Sequence, residues 1–177
     1  MKRSQTGFTL IEAIAAVAIM AIVMGAGVPS FKRILTYQRV ASGMSLLSTS
    51  LASARMAAIS AATPITVCPI TTGSRRCRQD SVWDGGWMVF RDRLRKGQPR
   101  SDKDVLQVIE RSDRHLVLWS TASRKYVRFQ ADGRAGGNNL IIRICSDGKL
   151  NGEVAVNNVG RVRSRRVSGD RPCGDRR

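Results

Sequence analysis

The sequence predicts an α+β protein: one long N-terminal helix followed by a β-rich globular head. Three observations carry that reading. An apolar run fills residues 8–28, an apolar stripe at helical spacing follows from Val40 to Ala58, and short β-rich runs alternate with turn residues after Pro64.

The first segment, "MKRSQTG", is polar and basic. The run after it, "FTLIEAIAAVAIMAIVMGAGV", is 21 residues long and holds one charge, Glu12. A membrane-spanning helix needs about 20 apolar residues, so this stretch is expected to span. Lys2 and Arg3 precede it, which puts the N-terminus on the cytoplasmic side and exports the rest of the chain. A secretory signal peptide would have a shorter apolar core with a small-residue cleavage site behind it. Here the small residue, Gly7, stands in front of the run. Glu12 calls for an explanation of its own, because a carboxylate in hydrocarbon costs several kcal/mol unless it finds a partner.

Beyond Pro29 the helical pattern continues. Val40, Met44, Leu47, Leu51, Ala54 and Ala58 recur at intervals of three and four, while Gln38, Arg39, Ser45, Ser48 and Arg55 line the other side. This is an amphipathic half-helix that packs on the head, and Thr63-Pro64 stops it. Strands are expected at 65–68, 87–92, 105–110, 116–119, 126–130, 140–145, 153–157 and 160–165. Turns fall at Asp84-Gly85-Gly86, Lys96-Gly97-Gln98-Pro99, Asp132-Gly133 and Asp147-Gly148, and 91–104 reads as a charged surface loop.

Charge narrows the function. The 177 residues include 30 Lys+Arg against 13 Asp+Glu, a formal net charge of +17. Six of the cations are Lys and 24 are Arg, the residue better suited to bidentate phosphate contacts. Such a field suits a polyanion, nucleic acid or an anionic membrane surface, and an enzyme for a small neutral substrate has no need of it. There is no nucleophile–base pair and no phosphate-binding Gly loop. Asp132, Asp147 and Asp170 lack calcium-loop spacing, and His115 is the sole histidine. No catalytic residue, metal or cofactor is therefore expected. Trp83 and Trp87 read as packing around the Asp84-Gly85-Gly86 turn. Cys68, Cys77, Cys145 and Cys173 form no C-x-x-C pair and allow three disulfide connectivities.

The densest charge lies in "GRVRSRR", where Arg161, Arg163, Arg165 and Arg166 follow Gly160. On a strand, alternate residues share a face about 6.6–7 Å apart. Arg161, Arg163 and Arg165 would then form a row that can track phosphates, with Val159 and Val162 toward the sheet. Arg166, Arg171, Arg176 and Arg177 extend the charge. A basic edge strand that blocks sheet-to-sheet aggregation is the competing reading, and contact with another protein is a third.

Two resemblances sharpen these expectations. The stretch "GFTLIEAIAAVAI" resembles the class III leader of type IV pilins and pseudopilins. The resemblance implies that a prepilin peptidase cuts after Gly7 and methylates the new amine of Phe8. It also implies that Glu12 pairs with the N-terminal amine of a neighbouring pilin in the filament, which supplies the missing partner. Pro29 fits the proline that often kinks or loosens such helices. In the head, "CPITTGSRRC", "WDGGWMVFRD", "YVRFQADGRAGG", "LIIRIC" and "GRVR", in that order, resemble the FimT/GspH group of minor pilins and pseudopilins, FimT most of all. That group has a head of two packed sheets beside the long helix.

The implied organisation is a cleaved leader at 1–7, a transmembrane half-helix at 8–28, an amphipathic half at 29–62 and the head at 63–177. The chain would sit in the inner membrane with its head in the periplasm and then enter a type IV pilus. In FimT a C-terminal Gly-Arg-x-Arg motif is associated with DNA binding during natural transformation, and Gly160-Arg161-Val162-Arg163 matches it. Family resemblance, with proximity along the chain, favours Cys68–Cys77 and Cys145–Cys173. The second link would pin the tail beyond Arg166. The alternative function is structural: a subunit that primes assembly of a pilus or a type II secretion filament, without DNA.

Overall fold

The computed structural model describes residues 7, 9–113, 115–121, 125–137 and 139–174, and the side chains of 26–30 are not described within their helix. Phe8, Arg176 and Arg177, named above, and most of the 1–7 leader lie outside the described residues. The chain divides into two compact units, Met1–Gln38 and Arg39–Arg177.

A single helix, α1 (Leu10–Ser60), runs through both units. Its start has a local cause. Thr9 is the N-cap, and its Oγ1 accepts the Glu12 N–H at 3.3 Å, while Glu12 places a negative charge in the first turn. The sequence "TLIE" therefore has the spacing of a capping box, a second role for Glu12 that the apolar surroundings obscured. Among the described residues no helix is long and apolar enough to cross a membrane. The expected span at 8–28 lies only partly among them, and the stretch with described side chains, Leu10 to Gly25, is shorter than the roughly 20 residues a span needs.

In the second unit the six residues of the apolar stripe, Val40, Met44, Leu47, Leu51, Ala54 and Ala58, are all buried. The helix closes one turn before Pro64. Ala62 adopts a left-handed φ of 45°, its N–H donates to the Ile59 carbonyl, and the Thr63 N–H donates to the Ala58 carbonyl. That pair of bonds is a Schellman closure, with Ala where Gly is usual.

Eight strands follow: β1 (Ile65–Pro69), β2 (Gly86–Arg91), β3 (Val105–Glu110), β4 (Val117–Ser120), β5 (Val127–Phe129), β6 (Leu140–Ser146), β7 (Lys149–Val156) and β8 (Val162–Arg166). They form two four-stranded antiparallel sheets, ordered β3-β2-β1-β5 and β4-β6-β7-β8. One core joins α1 to both sheets, through Leu47 and Leu51 of the helix, Ile65, Val67, Val89 and Phe129 of the first sheet, and Leu118, Ile142 and Val154 of the second. Trp83 and Trp87 are fully buried in it, the packing role expected of them.

The first sheet is buried on its other face too. Cys68, Met88 and Phe90 meet Ile70 and Cys77 there, under a loop closed by the Cys68–Cys77 disulfide. Gln98 holds that loop by accepting the Cys77 N–H and donating to the Cys77 carbonyl. Covering both faces explains why all five residues of β1 are buried, with no alternation.

Two expected strands differ from those observed by more than one residue at an end. β7 begins at Lys149, four residues before the expected start. Asp147-Gly148 is a two-residue hairpin turn, so pairing resumes at once with Ser146 opposite Lys149. Gly152 interrupts the β-pattern in sequence, but the Met44 side chain packs its sulfur into the space left by the missing Cβ, so the strand continues through it. β8 begins at Val162, after the expected 160, because Asn157 to Gly160 make a turn closed by the Gly160 N–H on the Asn157 carbonyl at 2.9 Å.

Candidate nucleic-acid interface

β8 is an edge strand of the second sheet, paired on one side with β7. Val162 packs against the core and fixes which way the strand faces. Arg163 and Arg165 then project to the outer face, opposite Ala155 and Glu153. Both are exposed.

The expected row of three equal arginines is corrected in two places, and Val159, expected toward the sheet, is exposed in the turn ahead of the strand. Arg161 stands before the strand, in the turn. Its N–H donates to Asn157 Oδ1 at 2.8 Å and its carbonyl accepts the Asn157 N–H at 3.2 Å, so its backbone is fixed although it lies off the ladder. Arg165 is on the strand, but its charge is engaged. Its Nε and Nη2 both reach Glu153 Oε2, at 2.8 and 2.7 Å. Glu153 is buried, and its other oxygen faces Arg143 Nε at 3.6 Å. Arg143 in turn lies over the Trp119 ring, 4.9 Å from its centroid. Trp119, Arg143, Glu153 and Arg165 thus form one cross-strand line over β4, β6, β7 and β8. Two cations share one buried carboxylate there. Among the described residues no acceptor engages the guanidinium of Arg161 or Arg163.

The tail is ordered, and bonded to the sheet. The Val167 N–H donates to the Asn151 carbonyl, the Leu150 N–H to the Arg171 carbonyl, and the Cys173 N–H to the Gly148 carbonyl. Cys173 is disulfide-bonded to Cys145 of β6, and the Trp119 Nε1–H points at its sulfur at 3.3 Å. Arg171 is held in this strap with its side chain exposed, and Arg166, at the end of β8, is exposed as well.

Gly160 is where the turn is tightest. Its φ is +79°, and a Cβ there would stand 2.0 Å from the Gly133 carbonyl oxygen. Only glycine fits both demands.

Elsewhere, Arg111 lines a cleft with Thr72, Asp84, Gly85, Asp113 and Leu116. Burial pushes its pKa down, against the pull of Asp113 and Asp84. No group of His, Cys, Asp and Glu among the described residues could hold a metal ion.

This architecture has relatives. Residues 44–171 match the family model described as Type II transport protein GspH. The chain belongs to the GspH family. Residues 2–28 match the prokaryotic N-terminal methylation motif, which implies processing by a prepilin peptidase and assembly with other pilins. Two crystal structures of the type IV minor pilin FimU from Pseudomonas aeruginosa (strain PAO1) share the fold. One aligns with a TM-score of 0.58 at 18% identity, over 71% of this chain and 87% of that one. The other aligns with a TM-score of 0.55 at 19% identity, over 70% and 90%. No curated protein matches the chain. This GspH-family chain is therefore a minor pilin or pseudopilin of the type IV pilus or type II secretion kind, and nothing in the comparisons singles out the FimT branch.

Proposed function

We propose that this minor pilin binds DNA without sequence preference and aids its uptake in natural transformation. The observation that carries the reading is the state of Arg161 and Arg163. Both are exposed, both stand on fixed backbone at a sheet edge, and neither is neutralised by a described neighbour, in a chain of net charge +17. Free guanidiniums on a rigid edge meet phosphate oxygens as charged forks and release counterions as they do. Little side-chain order beyond the arginines themselves is lost, because the strap and the Cys145–Cys173 link already hold the surroundings. Arg165, Arg166 and Arg171 add field around the pair. A contact made to phosphates positions DNA and reads no sequence.

The N-terminal segment serves delivery. Cleavage after Gly7 and methylation of Phe8 prepare the chain for the filament. Glu12 pairs with the amine of a neighbouring pilin, and the apolar helix holds the unassembled subunit in the inner membrane with its head in the periplasm.

The test uses residues 36–177, which contain the compact unit Arg39–Arg177. Arg161→Gln with Arg163→Gln is expected to weaken binding of a duplex sharply at moderate salt, measured by gel shift. Unchanged binding would sink the assignment. The family match, to a type II transport protein, favours a second reading in which the subunit primes filament assembly. Deletion separates the two: transformation lost with pili intact supports DNA uptake, and loss of pili or of secretion supports priming.

A further inference from the structure

The turn before β8 and the loop after β5 meet at two glycines. The close approach of Gly160 to the Gly133 carbonyl is one half of the contact. Arg55 of α1 is the other: its Nε donates to that same carbonyl at 3.0 Å and lies 3.2 Å from where a Cβ on Gly160 would be. Helix, first sheet and second sheet therefore converge on one peptide oxygen. β5 and β8 are edge strands of different sheets, so this contact bridges the seam between them.

Each glycine is followed by an exposed arginine, Arg134 after Gly133 and Arg161 after Gly160, one Cα step of about 3.8 Å away. The backbone of Arg134 is fixed in the same manner as that of Arg161. Its N–H donates to Asp132 Oδ1 at 2.9 Å, and its carbonyl accepts the Gln130 N–H at 2.8 Å. Its guanidinium has no acceptor among the described residues, so folding gives no account of the charge.

We infer that Arg134 is a further phosphate contact, and that DNA crosses the seam from the β8 edge to the loop after β5. Arg163, Arg161 and Arg134 are then successive contacts on one path. Arg55 is a positioning residue that holds the Gly133 peptide against Gly160 and so sets the distance between the last two. This rests on the DNA-binding reading given above and extends it from one sheet to both.

The experiment is a salt titration of duplex binding by residues 36–177, with thermal melting of every variant as a check on folding. Arg134→Gln is expected to weaken binding several-fold and to lower the slope of log K against log salt by about one. Lys103→Gln, which removes an equal charge from an exposed position away from the seam, is expected to leave the slope as it was. Arg55→Lys keeps the net charge and loses the Nε–H that donates to the Gly133 carbonyl, and it too is expected to lower the slope. If Arg134→Gln behaves as Lys103→Gln while Arg161→Gln with Arg163→Gln loses binding, the seam path is wrong and the β8 site stands. If the unmodified head binds no DNA, both fall.

Discussion

At the scale of single residues, the proposed interface depends on a side chain that is missing. Gly160 combines a left-handed φ with a carbonyl at the position of its absent Cβ. A left-handed conformation costs an L-residue about 1–2 kcal/mol, and here the backbone contact adds to it. Gly160→Ala should therefore lower the melting temperature of the head and, by pushing the turn away from Gly133, weaken DNA binding although every arginine is retained. A variant that melts and binds as the unmodified head does would show that the turn is free to move. The sequence showed that Gly160 permits a turn. It did not show the reason glycine is required, because Gly133 and Arg55 are brought to it by the packing of two sheets and a helix, and no spacing rule links them.

At the scale of elements, the first sheet is tied together by a buried carboxylate. Asp92, just past β2, is 3% exposed and accepts from Thr66 Oγ1 of β1, from Arg128 of β5 through Nε and Nη2, and from the N–H groups of Lys96 and Gly97. It joins three strands and shapes the loop that follows it. Asp92→Ala would leave the largely buried Arg128 cation unpaired, a loss of about 3–5 kcal/mol. Adding Arg128→Met should restore part of that in denaturant unfolding. A single variant as stable as the parent would mean that the network is not structural. Asp92 sat in what read as a charged surface loop, and its partners lie in other strands, so sequence periodicity carried no sign of it. What periodicity could show was the helix stripe, because all six positions share one face and are buried together. The strands were legible as runs, since β-branched and aromatic residues cluster in them. Their ends were less so, because Gly152 and Gly160 are set by tertiary neighbours. The row of three arginines was legible as charge, but the pairing of Arg165 depends on Glu153 lying opposite it on the next strand.

At the scale of the whole chain, net charge and tail order act together. The Cys145–Cys173 bond closes a separation of 28 residues and holds the strap against the second sheet. On chain-entropy grounds such a loop contributes about 3–4 kcal/mol, most of it through the unfolded state. Cys145→Ser with Cys173→Ser should lower the unfolding midpoint accordingly and weaken DNA binding by freeing Arg171. Equal midpoints would contradict that estimate. The same strap has an optical consequence. Trp83 and Trp87 are sealed in the core, but the Trp119 indole touches Cys173 sulfur. A disulfide takes an electron from an excited indole and darkens it. Trp119 is thus a built-in gauge: its emission should brighten as the bond is reduced in the native head, so fluorescence reports whether the strap is still tied to the sheet.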